Sequence, residues 1–140
     1  MGGCGSSTSG DRLTGEAADS HLACESVRAS VIENIIGPSS SQAFEEPPMS
    51  ECTWRSEGGS ITVRIEIVPD PRLFIEHAIE STDPTRVAGI DAVSPGAVEF
   101  AGEALLGAHG DRIVLVEGSA PTSQLRPVLS AAVASLVAAP

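Results

Sequence analysis

Ser50–Val68 reads SECTWRSEGGSITVRIEIV and contains a cysteine, the chain's only tryptophan, a turn and the most regular alternation in the sequence. Ile61, Val63, Ile65 and Ile67 alternate with Thr62, Arg64 and Glu66, the period-two pattern of a strand with one buried and one wet face. Glu57, Gly58 and Gly59 interrupt the pattern just upstream, so Cys52–Arg55 is expected to fold back as the other arm of a hairpin. Cys52 and Trp54 then share one face, and Thr53 and Arg55 the other.

The chain has 140 residues, enough for one modest core. Residues 1–19 read as a flexible Gly/Ser-rich tether and 20–140 as a single domain. Nineteen acidic residues against eight basic ones, all arginine, give a formal net charge of -11. Such a field repels polyanions, so nucleic acid is excluded as a partner. No run reaches the roughly 20 apolar residues needed to span a bilayer, so the folded part reads as soluble and any membrane attachment must come from elsewhere.

Met1–Gly10, MGGCGSSTSG, is too poor in apolar surface to offset the cost of ordering. Gly2 and Gly3 before Cys4, followed by Gly5, Ser6 and Ser7, are similar to the end of a bacterial lipoprotein signal, in which the cysteine is diacylated and becomes the mature N-terminus. A lone cysteine at the end of a small-residue leader has no packing role, so Cys4 is read as a lipid anchor rather than a free thiol. The apolar segment of a signal peptide does not precede it in the sequence as written.

Leu22, Cys24, Val27, Val31, Ile32, Ile35 and Ile36 recur at spacings of three and four, which predicts a helix from Ser20 to Ile36, stopped by Gly37 and Pro38. Its buried line is Val27, Val31 and Ile35, with Cys24 on the same side. Cys24 and Cys52 therefore both face the core. A disulfide between them is the simplest pairing in an exported protein; two reduced buried thiols are the alternative in a cytosolic one. A bridge closing a loop of about 28 residues would contribute about 3 to 4 kcal/mol.

Gly37–Ser50, GPSSSQAFEEPPMS, with three prolines and many small polar residues, reads as a loop in which Phe44 and Met49 either fold onto the core edge or line a groove. Beyond the hairpin, Asp70 is placed to cap a short helix and Pro71 to occupy its first position. Leu73, Phe74, Ala78 and Ile79 form its apolar side, and Arg72, Glu76 and His77 its wet one. Arg86–Pro95 reads as an extended turn. Val98–Leu106 suggests one strand bent at Gly102. Gly107–Asp111 makes a turn, and Arg112–Val116 is apolar on both faces, as expected of a central strand covered on two sides. A closing helix begins at Thr122 or Ser123 with Pro127 in its first turn and runs to Val137 or Ala138. The sum is an α+β domain with four to five antiparallel strands and about three helices, mainly on one face.

These residues resemble the family of small actinobacterial cell-envelope lipoproteins classed as a domain of unknown function. Cys4, Cys24 ahead of a helix ending at Ile36-Gly37, and Cys52-Thr53-Trp54-Arg55 leading into Ile61–Ile67 carry the likeness. Val87–Ile90 and the Ala-rich closing helix extend it. The resemblance implies a secreted, membrane-anchored domain at the extracytoplasmic face of the cell membrane, with a Cys24–Cys52 bridge, and assigns no activity.

An enzyme needs converging groups, and the inventory is thin. His21, His77 and His109 have no zinc-site spacing, and no serine lies in a G-x-S-x-G elbow. His109 and Asp111 are ordinary turn formers before they are a catalytic pair. Glu45 and Glu46, or Asp70, Glu76 and Glu80, read as a solvated acidic face, since no twelve-residue calcium loop accompanies them. The expectation is a noncatalytic binding or accessory module without cofactor or metal, serving an envelope protein or a small apolar ligand. Its candidate surfaces are the 38–48 loop with Phe44, the outward residues Thr53, Arg55, Thr62 and Arg64, and a groove between the sheet and the closing helix. A small secreted or envelope hydrolase with an unrecognised site is the alternative.

Overall fold

The computed structural model describes residues 22–138. The tether over 1–19, Cys4, the expected helix start at Ser20 and His21 lie outside the described residues. Those described form an α+β domain with one seven-stranded antiparallel sheet and four α-helices. In chain order these are α1 (Leu22–Glu25), α2 (Ala29–Ile36), β1 (Ser40–Glu46), β2 (Met49–Ser56), β3 (Gly59–Ile67), α3 (Pro71–Glu80), a 3-10 turn (Pro84–Arg86), β4 (Val87–Gly89), β5 (Val98–Phe100), β6 (Ala104–His109), β7 (Arg112–Gly118) and α4 (Thr122–Ala138). The sheet order is β1-β2-β3-β7-β6-β5-β4, two meanders joined where β3 pairs with β7.

The hairpin at the centre of the reading forms as expected. β2 and β3 are joined by Glu57-Gly58, with Cys52 opposite Val63 and Trp54 opposite Ile61. These four side chains are buried on one face of the sheet, with Ile65, Val114, Val116 and Leu105. Helices α1, α2 and α4 cover that face, which holds the larger core. A second core on the opposite face joins Ile75 of α3 to Val98, Phe100, Leu106 and Ile113. β7 is thus the middle strand and is covered on both sides, which explains its unbroken apolar run.

Five expectations need correction. The single helix from Ser20 to Ile36 is broken between Glu25 and Ala29. Ser26 donates both its amide and its hydroxyl to the Ala23 carbonyl, at 3.3 and 2.7 Å, a local closure that competes with helix propagation. Arg28 then adopts an extended backbone and starts α2 afresh. The break rotates the buried line: Val27, Ile32 and Ile36 are buried, and Val31 and Ile35 lie half-buried beside them.

The expected 37–50 loop contains strand β1, paired residue for residue with β2 from Ser40–Arg55 to Glu46–Met49. β1 is exposed on both faces except at Glu45, so no apolar alternation marks it in the sequence. Next, the strand thought to bend at Gly102 is two strands, β5 and β6, turning at Ala101–Glu103, where Gly102 takes a φ of 76°. The supposed extended turn of 86–95 supplies the end of the 3-10 turn and the three-residue edge strand β4. β1, β4 and this division raise the sheet from four or five strands to seven. Finally, the buried line of α3 is Ile75 with Ala78 and Ile79 beside it, at helical spacing; Leu73 and Phe74 remain exposed.

Both helix ends anticipated from local signals are present. The Asp70 carboxylate accepts the Leu73 amide at 3.2 Å, with Pro71 in the first helical position. α4 spans Thr122–Ala138, which places Pro127 in its second turn rather than its first.

Candidate functional site

Cys24 and Cys52 are joined in a disulfide, with Cα atoms 5.0 Å apart. Cys52 is fully buried in β2, and Cys24 sits half-buried on α1. A four-residue helix cannot sustain itself in isolation. Here it is held by the bridge and by the Ala23 amide, which donates to the buried Ser50 Oγ at 3.0 Å. Ser50 in turn donates to Glu45 on β1. The bridge thus anchors the first helix to the inner face of the first meander.

The residues expected to form a binding surface all fall on the opposite face of that meander. The register places Thr53 beside Thr62, Arg55 between Ser40 and Ser60, and Phe44 and Arg64 on either side of Glu51. The Thr53 and Thr62 hydroxyls lie 3.0 Å apart. Arg64 donates through Nε and Nη2 to one Glu51 oxygen at 3.1 and 3.0 Å, so its guanidinium is held flat across β2 and β3. Phe44 is 52% exposed at the edge. Helix α3 packs over β6, and among the described residues no helix packs on the β1–β3 half of this face.

The step between the covered and uncovered halves is a groove of 250 Å³. Leu106, Ile113 and Leu115 form an apolar floor; Arg64 and Glu66 stand on the β3 side, and Phe74, Ala78, Ser81 and Thr82 on the α3 side. Phe74 is 41% exposed there. A wider groove of 670 Å³ lies on the other flank of α3, between Asp70–Ile79 and the β6–β7 turn, and includes His109.

Between the sheet and the closing helix, one of the three candidate surfaces, the described residues are closely packed. Leu125, Val128, Leu129 and Ala132 of α4 are fully buried. Gly107 permits this approach: a Cβ there would meet Leu129 Cδ1 at 3.3 Å and Val133 Cγ2 at 3.5 Å. Thr122 and Arg126 pin the start of α4 to Glu99 of β5, at 3.2 and 2.8 Å. The sequence signal for the α3 groove was Phe74, an aromatic residue one position from the buried Ile75 and off the line that a ten-residue helix can bury.

His77 is exposed on α3, and His109 ends β6. Among the described residues no side-chain hydrogen bond joins His109 to Asp111, and no group of three His, Cys, Asp or Glu side chains is arranged to hold a metal ion. The Asp83 carboxylate is shifted clearly from its ordinary value. The Thr85 amide and hydroxyl, which donate to it, hold it low. That arrangement caps the 3-10 turn and faces neither groove. Among the described residues no helix is long and apolar enough to cross a membrane. Comparison with protein-family models, with curated proteins and with solved structures finds nothing that matches this chain.

Proposed function

We propose that the chain is a noncatalytic extracytoplasmic lipoprotein of the small actinobacterial cell-envelope type, tethered through a lipid on Cys4 to the outer face of the cytoplasmic membrane. It acts there as a binding or accessory module. The observation that carries the binding role is the half-covered second face of the sheet: an apolar-floored groove along α3 opens onto a polar shelf bearing Thr53, Thr62 and Arg64. An apolar floor with a few oriented polar groups at its rim suits a small apolar ligand or an apolar side chain of an envelope protein. The Cys24–Cys52 bridge supports the compartment, since structural disulfides persist where the surroundings are oxidising.

Two measurements test the proposal. Protein recovered from native membranes should partition into detergent and carry a diacylglyceryl mass on Cys4; an unmodified, water-partitioning product removes the anchor. Native mass spectrometry of the same material should find a bound apolar molecule or partner that Phe74→Asp loses while the disulfide and fold are retained. Retention of that species by Phe74→Asp rejects the groove as the binding site.

A further inference from the structure

The groove along α3 adjoins a second cavity. The first, of 250 Å³, has Leu106, Ile113 and Leu115 on its floor; the second, of 330 Å³, is lined by Ser60, Thr62, Glu103, Glu117 and Gly118. Glu103 lines both. The register explains the contact: Thr62 pairs with Glu117 and Arg64 with Leu115, so the two cavities lie over successive rows of β3 and β7 on one face of the sheet. Together they make one trough, with an apolar floor at one end and hydroxyls and carboxylates at the other.

The charges around this trough are unequal. Arg64 is already committed, since its Nε and Nη2 both donate to Glu51. Glu103 is paired with Arg86 at 3.3 Å. Among the described residues Glu66 and Glu117 have no side-chain hydrogen bond or ion pair. With these partners counted, the carboxylates of Glu51, Glu66, Glu103 and Glu117 outnumber the guanidinium groups of Arg64 and Arg86 and leave the trough negative. An amphiphile with an anionic head is repelled at the polar end, and one with a cationic head is complementary to it. Among the described residues no aromatic ring lines the polar cavity to hold a quaternary ammonium against its face. The Ser60 and Thr62 hydroxyls and the Glu117 carboxylate are acceptors, which suit a head that carries N–H donors.

We propose that the trough binds a small amphipathic primary amine, with its apolar chain along Leu106, Ile113 and Leu115 beside Phe74 and its ammonium group at Glu117 and Glu103, next to the Ser60 and Thr62 hydroxyls. This rests on the α3 groove being the binding site and adds the chemical class of its ligand. Volumes of 250 and 330 Å³ suit a small molecule, whose sites run from about 300 to 1,000 Å³. Burial of the chain supplies affinity, and the unpaired Glu117 carboxylate chooses the head group, because an ammonium offers donors and a charge that a hydroxyl or a carboxylate cannot.

Octylamine, octanoate and octanol share one apolar chain and differ in head group. Titrated calorimetrically into the oxidised full chain at neutral pH, octylammonium should bind about tenfold or more tighter than the other two, and its advantage should shrink as salt is added. Amide NMR should report the bound probe at Thr62, Leu115 and Glu117. Glu117→Gln should weaken octylammonium about tenfold and leave octanol unchanged. Glu33→Gln, on α2 across the sheet, should leave both unchanged. Failure of all three probes to bind overturns the proposal together with the groove. Octanoate or octanol binding as tightly as octylammonium overturns the amine, and their release by Phe74→Asp would show that the groove itself still stands. Full octylammonium affinity in Glu117→Gln also overturns it. So do equal losses in Glu117→Gln and Glu33→Gln, because the attraction would then come from the general field of a chain with net charge -11.

Discussion

Removing the Cys24–Cys52 bridge should be the most informative single perturbation of stability. The two cysteines are 28 positions apart, and closing a loop of that length lowers the entropy of the unfolded chain by an amount worth about 3 to 4 kcal/mol at 25 °C. A domain of this size has a total stability on the order of 6 to 17 kcal/mol, so the loss is a substantial fraction. It corresponds to a fall in Tm on the order of 10 to 15 °C. The double variant Cys24→Ala/Cys52→Ala is preferable to serine, because Cys52 is fully buried and a hydroxyl there would add the cost of an unsatisfied polar group. Differential scanning calorimetry of the oxidised protein, the reduced protein and the double variant gives the comparison. Trp54, two residues from Cys52 on the same buried face, provides a fluorescence signal for whether the core loosens before it melts. The four-residue helix α1 should lose its amide-exchange protection first, being held to β2 chiefly by the bridge and the Ala23–Ser50 hydrogen bond. Melting of all three forms within about 2 °C of one another would refute the reasoning, because the chain-entropy contribution could not then be present.

Ser50→Ala should cost about 1 to 3 kcal/mol in urea titrations, because it strands the Ala23 amide in the core and removes one hydrogen bond to Glu45. Gly107→Leu should cost about 1 to 3 kcal/mol or more by the same assay, since the added side chain must enter space held by Leu129 and Val133; Gly107→Ala should cost much less, its one carbon meeting the flexible end of Leu129. Asp83 has a lowered folded-state pKa, so its contribution is present above the unfolded value and fades as pH falls through the folded one. Carboxyl NMR should find its midpoint below 3.8, and Thr85→Ala should return it towards that value, whereas an ordinary midpoint in the parent chain would disprove the cap.

Much of the local structure was legible because its causes lie within a few residues. The isoleucine alternation of 61–67, the Glu57–Gly59 turn and the Asp70-Pro71 helix start are each set by neighbours. The candidate shelf residues Thr53, Arg55, Thr62 and Arg64 were placed on one face by the same alternation. The α3 groove was not legible, because it depends on how far one ten-residue helix extends across seven strands. Phe74 looked like core until Ile75 took that role. The break at Ser26 was hidden for a related reason, since apolar spacing continues through it while hydrogen bonds to Ala23 interrupt the backbone.

By itself the sequence determined an α+β chain with a two-cysteine framework, a half-buried hairpin and an apolar closing helix, all of which follow from periodicities of two and 3.6. The tertiary structure alone decided that Ser40–Glu46 is a strand, that β3 meets β7 in the middle of the sheet, and that helix α3 lies over the β6 half of the second face. A strand wet on both faces leaves no hydrophobic trace in its residues; it is specified by the backbone groups of the neighbour it joins, and those become available only when the rest of the sheet has formed.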